Sequence, residues 1–589
     1  VQLELARIEL TGDTIGSSNL ADSVVRIGPI EVRVVTSASS TIKSGSRATQ
    51  LAWTITNLGE DSMRVRSVAQ VFRVADLTGP LRMFRNGYQS WTPSGVATFG
   101  IDHDQSLARG SLEMVRAIHH ADPAVAQPGE LRSEWVSVLN QAVGRPLLVG
   151  FDGGDRHDGT LRLRVGEVGT ELWAEAFLGD LVITSGETRD LHTVLLIEAN
   201  EHESASDLLE QWADVVGRNA VARVDAPYQV GWCSWYHYFH DITERALRSN
   251  LAHAADWPFD VFQLDDGYQS AIGDWLTTND RFPSDLGAIA ASIAAEGRTP
   301  GLWLAPFIVA PDSQVASRHP DWLARSANGD PLIGMFNPPW GGGQSGFMWS
   351  LDTTNPAVIS HLETVARELR SAGFDYLKLD FTFAPSFDGV WSDAGQTPAQ
   401  RVRAGFDAIR RGAGNDAFLL GCGVPLSNVV GVVDGNRIGA DVAPSWEFTN
   451  WEAALPGYER ALPATVHAWQ NTLARSFMHR KLWLNDPDCL MLRESETAMS
   501  KATIRTWAHA VAVSGGMALV SDDLALLDGE SRKLLNEVIE LGRLSDSAAI
   551  AGSPARCQDL LRHEVAREFE SAGARLSADP NDGTSTLDR

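Results

Sequence analysis

The chain has 589 residues, with 49 Lys and Arg against 75 Asp and Glu, for a formal charge of −26. That balance argues against nucleic acid or an anionic membrane surface as a partner and suits a neutral or cationic small molecule. Hydrophobic residues are 44% and charged residues 21% of the chain, ordinary globular proportions that exclude wholesale disorder.

Val1–Leu10 alternates like a strand and has neither the basic nor the apolar stretch of a signal peptide. The first ~200 residues read as β. Leu51, Trp53 and Ile55 alternate with Ala52, Thr54 and Thr56; Ile30, Val32 and Val34 alternate likewise, as do Leu161, Leu163 and Val165. Period-2 runs separated by Gly, Asp and Asn turns predict a large antiparallel sandwich over 1–200. Residues 202–219 read as a helix with Leu208, Leu209, Trp212 and Val216 on one face, within a helical linker at 201–226.

From Tyr228 short apolar strands alternate with helical stretches. The strands are read at Val230–Trp235, Val261–Leu264, Gly301–Pro306, Tyr376–Asp380, Phe418–Cys422, Arg437–Val442, Leu482–Asp486 and Met517–Ser521. Asn355-Pro356 is a helix start, an N-cap residue followed by Pro at the first helical position. The repeat predicts a (β/α)8 TIM barrel over 227–530. In the short C-terminal region, 531–589, Ser531–Leu544 and Gln558–Leu576 read as helical and Ser577–Arg589 as a loose polar tail. No apolar run reaches the ~18 residues of a membrane span. The four cysteines include no C-x-x-C pair, which points to a reducing, cytoplasmic setting.

A barrel of this kind builds its site at the C-terminal ends of its strands. There the sequence places Asp265 and Asp266, Lys378 and Asp380, Cys422, Arg437 and Asp441, Asp486 and Asp488, and Asp522 and Asp523. Trp235, Tyr236 and Trp303 join them from the first and third strands, and the chain holds 19 Trp in all. A carboxylate-rich, aromatic rim suits hard-cation binding or glycoside cleavage, which needs a nucleophilic carboxylate and a proton donor on either side of the anomeric carbon. Neither H-x-H nor H-E-x-x-H occurs, which disfavours a metal enzyme, and no cofactor is expected. Lys378 shares a strand face with Asp380 and would favour its ionised form, as a nucleophile requires. Asp441 would need its proton held, and Val442, Ala443 and Pro444 could desolvate it. Against these stand plainer readings. Asp at a strand end is often an N-cap, which is the stronger reading for Asp486, Asp488, Asp522 and Asp523. Lys378 could instead form a Schiff base, and Cys422 could be an inert buried thiol.

Taken together and in order, the motifs resemble the α-galactosidases of glycoside hydrolase family 36, in their short bacterial form. They are R-N-G-Y-Q-S-W at 85–91, V-G-W-C-S-W-Y-H-Y-F at 230–239, F-Q-L-D-D-G-Y-Q at 262–269, G-L-W-L-A-P-F at 301–307, Y-L-K-L-D-F at 376–381 and the run from G-C-G at 421 to R-I-G-A-D-V-A-P at 437–444. The resemblance implies Asp380 as nucleophile and Asp441 as acid, then base. It implies Asp265, Asp266, Lys378, Arg437 and Cys422 as sugar ligands. Trp235, Tyr236, Trp303 and Phe381 would be pocket walls, with Trp91 reaching in from the β domain. The implied activity is retaining, exo-acting hydrolysis of terminal α-galactose, mainly α-1,6, as in melibiose and raffinose. The alternatives are an α-N-acetylgalactosaminidase, a galactosyl transferase or a sugar-binding protein without catalysis. The family closes with a small antiparallel β domain, so the C-terminal region is expected to be a reduced version of it. A mobile loop is expected at 341–346, and a monomer or small homo-oligomer overall.

Overall fold

The computed structural model describes residues 1–19, 23–38, 46–102, 118–123, 127–141, 144–167, 169–340, 346–448 and 462–589. The loop expected at 341–346 falls outside these residues except for Gly346.

The N-terminal region is two facing antiparallel sheets, as the alternation requires. One has six strands, ordered Gly16–Asn19, Gln2–Gly12, Met63–Ala75, Gly169–Ile183, Asp158–Gly166 and Leu131–Glu134. The other has nine, running from Val24–Ile27 through Arg47–Asn57 and Val194–Glu198 to Gly95–Thr98. Ile30, Val32, Val34, Leu51, Trp53, Ile55, Leu161 and Leu163 all point into the core between the sheets. Val165 does not: it is 78% exposed, because its strand ends one residue later in a hairpin.

The helix Ala205–Asn219 is capped by a reciprocal Ser204–Asp207 capping box and buries the apolar face read from the sequence. Trp212 lies edge-on to Trp135 with ring centroids 4.7 Å apart, and its indole N–H donates to the Phe151 carbonyl at 2.9 Å. This segment is a packed joint between sandwich and barrel.

Eight parallel strands follow: β1 (Val230–Cys233), β2 (Val261–Leu264), β3 (Thr299–Leu304), β4 (Tyr376–Leu379), β5 (Phe418–Gly421), β6 (Gly435–Arg437), β7 (Leu484–Asp486) and β8 (Ala518–Val520). They pair in sequence order, with β8 beside β1. The seam between β7 and β8 is closed by loop residues. Met517 N–H donates to the Asn485 carbonyl at 2.9 Å, and Leu490 N–H to Leu519 at 2.7 Å. The barrel is therefore nearly closed, and seven of its strands lie on the apolar runs read for them, while β6 meets its run only at Arg437. One boundary matters: β6 ends at Arg437, so Asp441 lies on a turn beyond the strand, against the expected Arg437–Val442 span. Asn355 does cap the helix Pro356–Ser371, with Pro356 at its first position.

An element not foreseen is a three-stranded antiparallel sheet after β3, made of Ile308–Val309, Phe347–Ser350 and Ile333–Phe336. It carries Pro338–Trp340 over the barrel mouth.

The C-terminal reading is partly overturned. Gly529–Ile550 is a helix, as expected over Ser531–Leu544. Gln558–Leu576 is not helical, and the tail is not loose. A four-stranded antiparallel sheet runs Arg556–Cys557, Glu568–Ser571, Ala574–Asp579 and Thr584–Asp588. It packs on the helix Lys501–Ser514, with Thr506 donating to the Gly583 carbonyl at 2.7 Å. Ala, Glu and Arg favour helix locally. Here the Ala572-Gly573 turn, with φ of +50° and +81°, joins two strands by a two-residue hairpin, and burial of Phe569, Ala574 and Leu576 outweighs propensity. Among the described residues no helix is long and apolar enough to cross a membrane.

Candidate active site

The strand ends bring the predicted carboxylates to one rim. Asp265 and Asp266 follow β2 directly, Lys378 is in β4 with Asp380 just past its end, Trp303 is in β3, Cys422 follows β5, and Arg437 ends β6. All are buried, which is unusual for so many charges and demands partners.

On one wall the cation is Lys378. Its Nζ lies 2.9 Å from Asp265 Oδ2 and 3.9 Å from Asp380 Oδ2. The lysine thus pairs first with the carboxylate on the neighbouring loop rather than with Asp380, on whose strand face it was expected to act. Burial alone would lower the ammonium's hold on its proton, but Asp265 and Asp380 over-compensate and keep it charged. Asp265 also accepts from Gln263 Nε2 at 2.5 Å, and its other oxygen accepts the Asp266 N–H at 3.0 Å. Asp380 is held by neutral donors: Trp303 Nε1 at 3.0 Å to Oδ2 and its neighbour's N–H, Phe381, at 2.8 Å to Oδ1. That second bond needs Phe381 at φ +50°, a region a side chain seldom adopts and one that marks functional turns. Burial raises the Asp266 carboxyl, against donors Gln269 Nε2 at 2.6 Å and Trp340 Nε1 at 2.7 Å.

On the opposite wall one guanidinium serves three carboxylates. Arg437 reaches Asp441 Oδ1 through Nη1 at 3.1 Å, Asp486 Oδ2 through Nε at 3.1 Å and Asp488 Oδ1 through Nη2 at 2.7 Å. The Asp441 side chain is 30% exposed, and partial burial, then the Asp488 charge, raise its carboxyl to about 7 despite Arg437. Asp486 and Asp488 are therefore not helix caps, as their positions first suggested. Asp523 is one: its Oδ1 accepts Ala525 N–H at 3.0 Å. Asp522 instead pairs with Arg493 at 2.6 Å. Cys422 is buried between the walls, its thiol pushed up by burial and then by Asp380.

The aromatic residues divide. Trp303, Phe381 and Trp91 converge: Trp91 lies 5.1 Å from Phe381 and edge-on to it. Trp91 also covers Gly423, where φ is +53° and a Cβ would come 2.8 Å from the indole. Its segment is stapled across the joint by buried Arg475, which donates to the carbonyls of Gly87, Gln89, Ser90, Thr92 and Ile438. Tyr236 is less a wall than a donor, because its hydroxyl binds Asp488. Trp235 is half-buried and packs edge-on against Phe239. Trp340 went unread: it lies 4.9 Å from Phe381 and 6.2 Å from Trp303. Its only sequence signal is the P-P-W that precedes G-G-G at 341–343.

A family model described as Melibiase matches residues 217–384, from the linker helix past Asp380. α-Galactosidase AgaA of Geobacillus stearothermophilus is 26% identical over 155 residues, which is 25% of this chain and 20% of that protein. The sequence match thus spans about a fifth of the length of that curated relative. A crystal structure of a GH36 α-galactosidase AgaA from the same organism covers 99% of this chain and 80% of its own, with TM-score 0.59 and 14% identity, a likeness of fold. The Thermus thermophilus α-galactosidase TtGalA, solved with p-nitrophenyl α-D-galactopyranoside, is 26% identical with TM-score 0.68, covering 93% of this chain and 99% of that one. The chain is thus similar in its central segment to the Melibiase family model and to known α-galactosidases, and in fold to solved α-galactosidase structures.

Proposed function

We propose that the chain is a retaining, exo-acting α-galactosidase acting on terminal α-linked, mainly α-1,6, galactose in oligosaccharides such as melibiose and raffinose. The observation that carries the reading is a contrast between two carboxyls at one barrel mouth. Asp380 is fixed by two N–H donors, and Asp441 holds its proton up to about pH 7. A nucleophile and an acid need that contrast.

In the first step an Asp380 oxygen attacks the anomeric carbon. The C1–O bond breaks, and the Asp441 proton passes to the departing oxygen, leaving a β-galactosyl ester. In the second step water attacks C1 and gives its proton to Asp441. The ester bond breaks, α-galactose leaves, and both carboxyls return to their starting states. Trp303 Nε1 and the Phe381 N–H keep Asp380 aligned and receive its charge again at the end of the cycle.

Asp265, Asp266 and Lys378 offer acceptors and a donor for the far hydroxyls, and an axial O4 would meet the adjacent pair. A glucoside, with O4 equatorial, would leave a buried acceptor unpaired, which a polar site rejects strongly. Arg437 and Cys422 are further sugar ligands in this reading, with Trp91, Trp235, Trp303 and Phe381 as walls. The Thermus relative's complex with an aryl α-galactoside supports the same substrate class. The four cysteines are free and buried, which suits a reducing, cytoplasmic setting.

The test is NMR of the first anomer released from p-nitrophenyl α-D-galactopyranoside. α-Galactose first is the expected result. β-Galactose first would exclude the double displacement. No release, with turnover of the 2-acetamido analogue, would redirect the assignment to an α-N-acetylgalactosaminidase. Binding without turnover of either would leave a sugar-binding protein.

A further inference from the structure

Asp441 stands on a turn with no regular secondary structure, so something other than the β6 ladder must hold it. Ile438 N–H donates to the Asp486 carbonyl at 3.0 Å, and Ala464 N–H donates to the Asp441 carbonyl at 2.9 Å. Directly after Asp441, Val442 N–H donates to Asp488 Oδ2 at 2.9 Å. Asp488 is 1% exposed, and its two oxygens collect donors from across the barrel mouth. Oδ1 takes the Cys489 N–H at 2.7 Å and lies 2.7 Å from Arg437 Nη2. Oδ2 takes Val442 N–H and the Tyr236 hydroxyl. To do so Asp488 adopts φ +91°, a conformation costly for any residue with a Cβ. No helix begins there; the next one starts at Lys501 with its own cap, Ser500. Capping therefore does not explain the residue.

We propose that Asp488 is a positioning residue for Asp441: its carboxylate pins the turn through Val442 N–H and takes part of the Arg437 charge, which Asp441 would otherwise share with Asp486 alone. The proposal rests on the reading of Asp441 as acid and base. Asp441 is faced by Asp488 and Arg437, by Asp380 and Lys378 from β4, by Tyr236 beyond β1 and by Cys422 beyond β5. Asp488 in turn is faced by Arg437, Asp486, Tyr236, Lys378 and Cys489; burial raises its own carboxyl, and Arg437 and the Tyr236 hydroxyl oppose that rise. After burial, Asp488 is the strongest influence holding the proton on Asp441, while Arg437 works to remove it. Without the Asp488 charge, Arg437 is shared by Asp441 and Asp486, and Asp441 gives up its proton at lower pH.

The test compares melibiose, whose leaving group needs an acid, with 2,4-dinitrophenyl α-galactoside, whose leaving group does not. In Asp488→Asn the alkaline limb of kcat/KM on melibiose should move down by about one pH unit. Its kcat on melibiose should fall on the order of 10²-fold, with a far smaller loss on the aryl substrate. Asp488→Glu, which keeps the charge, should restore the limb towards the wild-type position. An unmoved limb with equal losses on both substrates would make Asp488 a structural contact and overturn the proposal. If Asp488→Asn does not fold, the unsubstituted protein carries the test. In the unsubstituted protein the ¹³C-carboxyl signals of Asp441 and Asp488 should titrate in shared steps, and independent single steps would overturn the coupling. Asp441→Asn is the control. If it loses both substrates equally, the failure lies in the assignment of Asp441 rather than in that of Asp488.

Discussion

The two sides of the barrel mouth each set three carboxylates around one cation, but bind them differently. On the β2–β4 wall, Asp265, Asp266 and Asp380 face one ammonium, and most of their bonds come from neutral donors: Gln263, Gln269, Trp303, Trp340 and backbone N–H groups. On the β6–β7 wall, Asp441, Asp486 and Asp488 divide one guanidinium among them. Neutral donors stabilise an anion at the atom they reach, so the two N–H groups on Asp380 suit a nucleophile, while Asp266 on the same wall is raised by burial. On the second wall Asp441 has Arg437 as a partner but the Asp488 charge close by, and that neighbour suits a group that must keep a proton. Burial sharpens both effects, because the low dielectric weakens screening.

The comparison breaks most decisively at Asp380. Asp380→Asn should lose at least about 10⁴-fold in kcat, as removing a nucleophile does. Azide should partly rescue it, with β-galactosyl azide as the product seen by NMR. Near-normal activity would remove the nucleophile from the first wall.

Next comes its cation. Lys378→Met leaves Asp265 buried without its ammonium and should cost roughly 3–5 kcal/mol of stability, read by urea unfolding. A loss below about 1 kcal/mol would mean that Gln263 and the backbone suffice to hold Asp265, as a surface-type pair would allow.

Trp340→Phe tests the neutral donors. It removes the indole N–H from Asp266 and leaves the ring, so kcat/KM on galactosides should change by about tenfold, the worth of one hydrogen bond to a charged group. Asp266→Ala should lose more against galactosides than against an inhibitor without an O4 contact. Equal losses would show that Asp266 does not read O4.

A last effect, on stability alone, lies away from the barrel mouth, at the joint between sandwich and barrel. Burial raises Asp158 to about 7, against Asn428 Nδ2, which donates to it at 3.0 Å. Between about pH 4 and pH 7 the folded protein therefore keeps a proton that the unfolded chain has released, and stability falls as pH rises through that window. Asp158→Asn should match the wild type near the acid end and exceed it above pH 7, by on the order of 4 kcal/mol at most. Parallel urea-unfolding curves across the range would show that Asp158 is ionised in the folded state.

Much of this was legible in the chain. Barrel strands buried on both faces read as short apolar runs, and a residue at or just past the end of a run falls at the rim by geometry alone, so Asp265, Asp380 and Cys422 could be placed without coordinates. Alternation likewise marked the sandwich, since each strand has one wet face. The C-terminal sheet was expected from the family resemblance but not from its own residues, which favour helix and whose strands hold only through partners distant in sequence. Asp488 was hidden because a carboxylate two residues past a strand looks like any cap.

The sequence by itself determined which residues stand at the rim and which lie in the core, because strand period and turn chemistry are local properties. Only the tertiary structure decided how the charges pair: Lys378 with Asp265 before Asp380, Arg437 with three carboxylates at once, Trp91 on Gly423 across the joint and Trp340 on Asp266. Those choices turn on differences of about an ångström between groups that can be a hundred or more residues apart, and in a buried site such differences select which carboxyl keeps its proton.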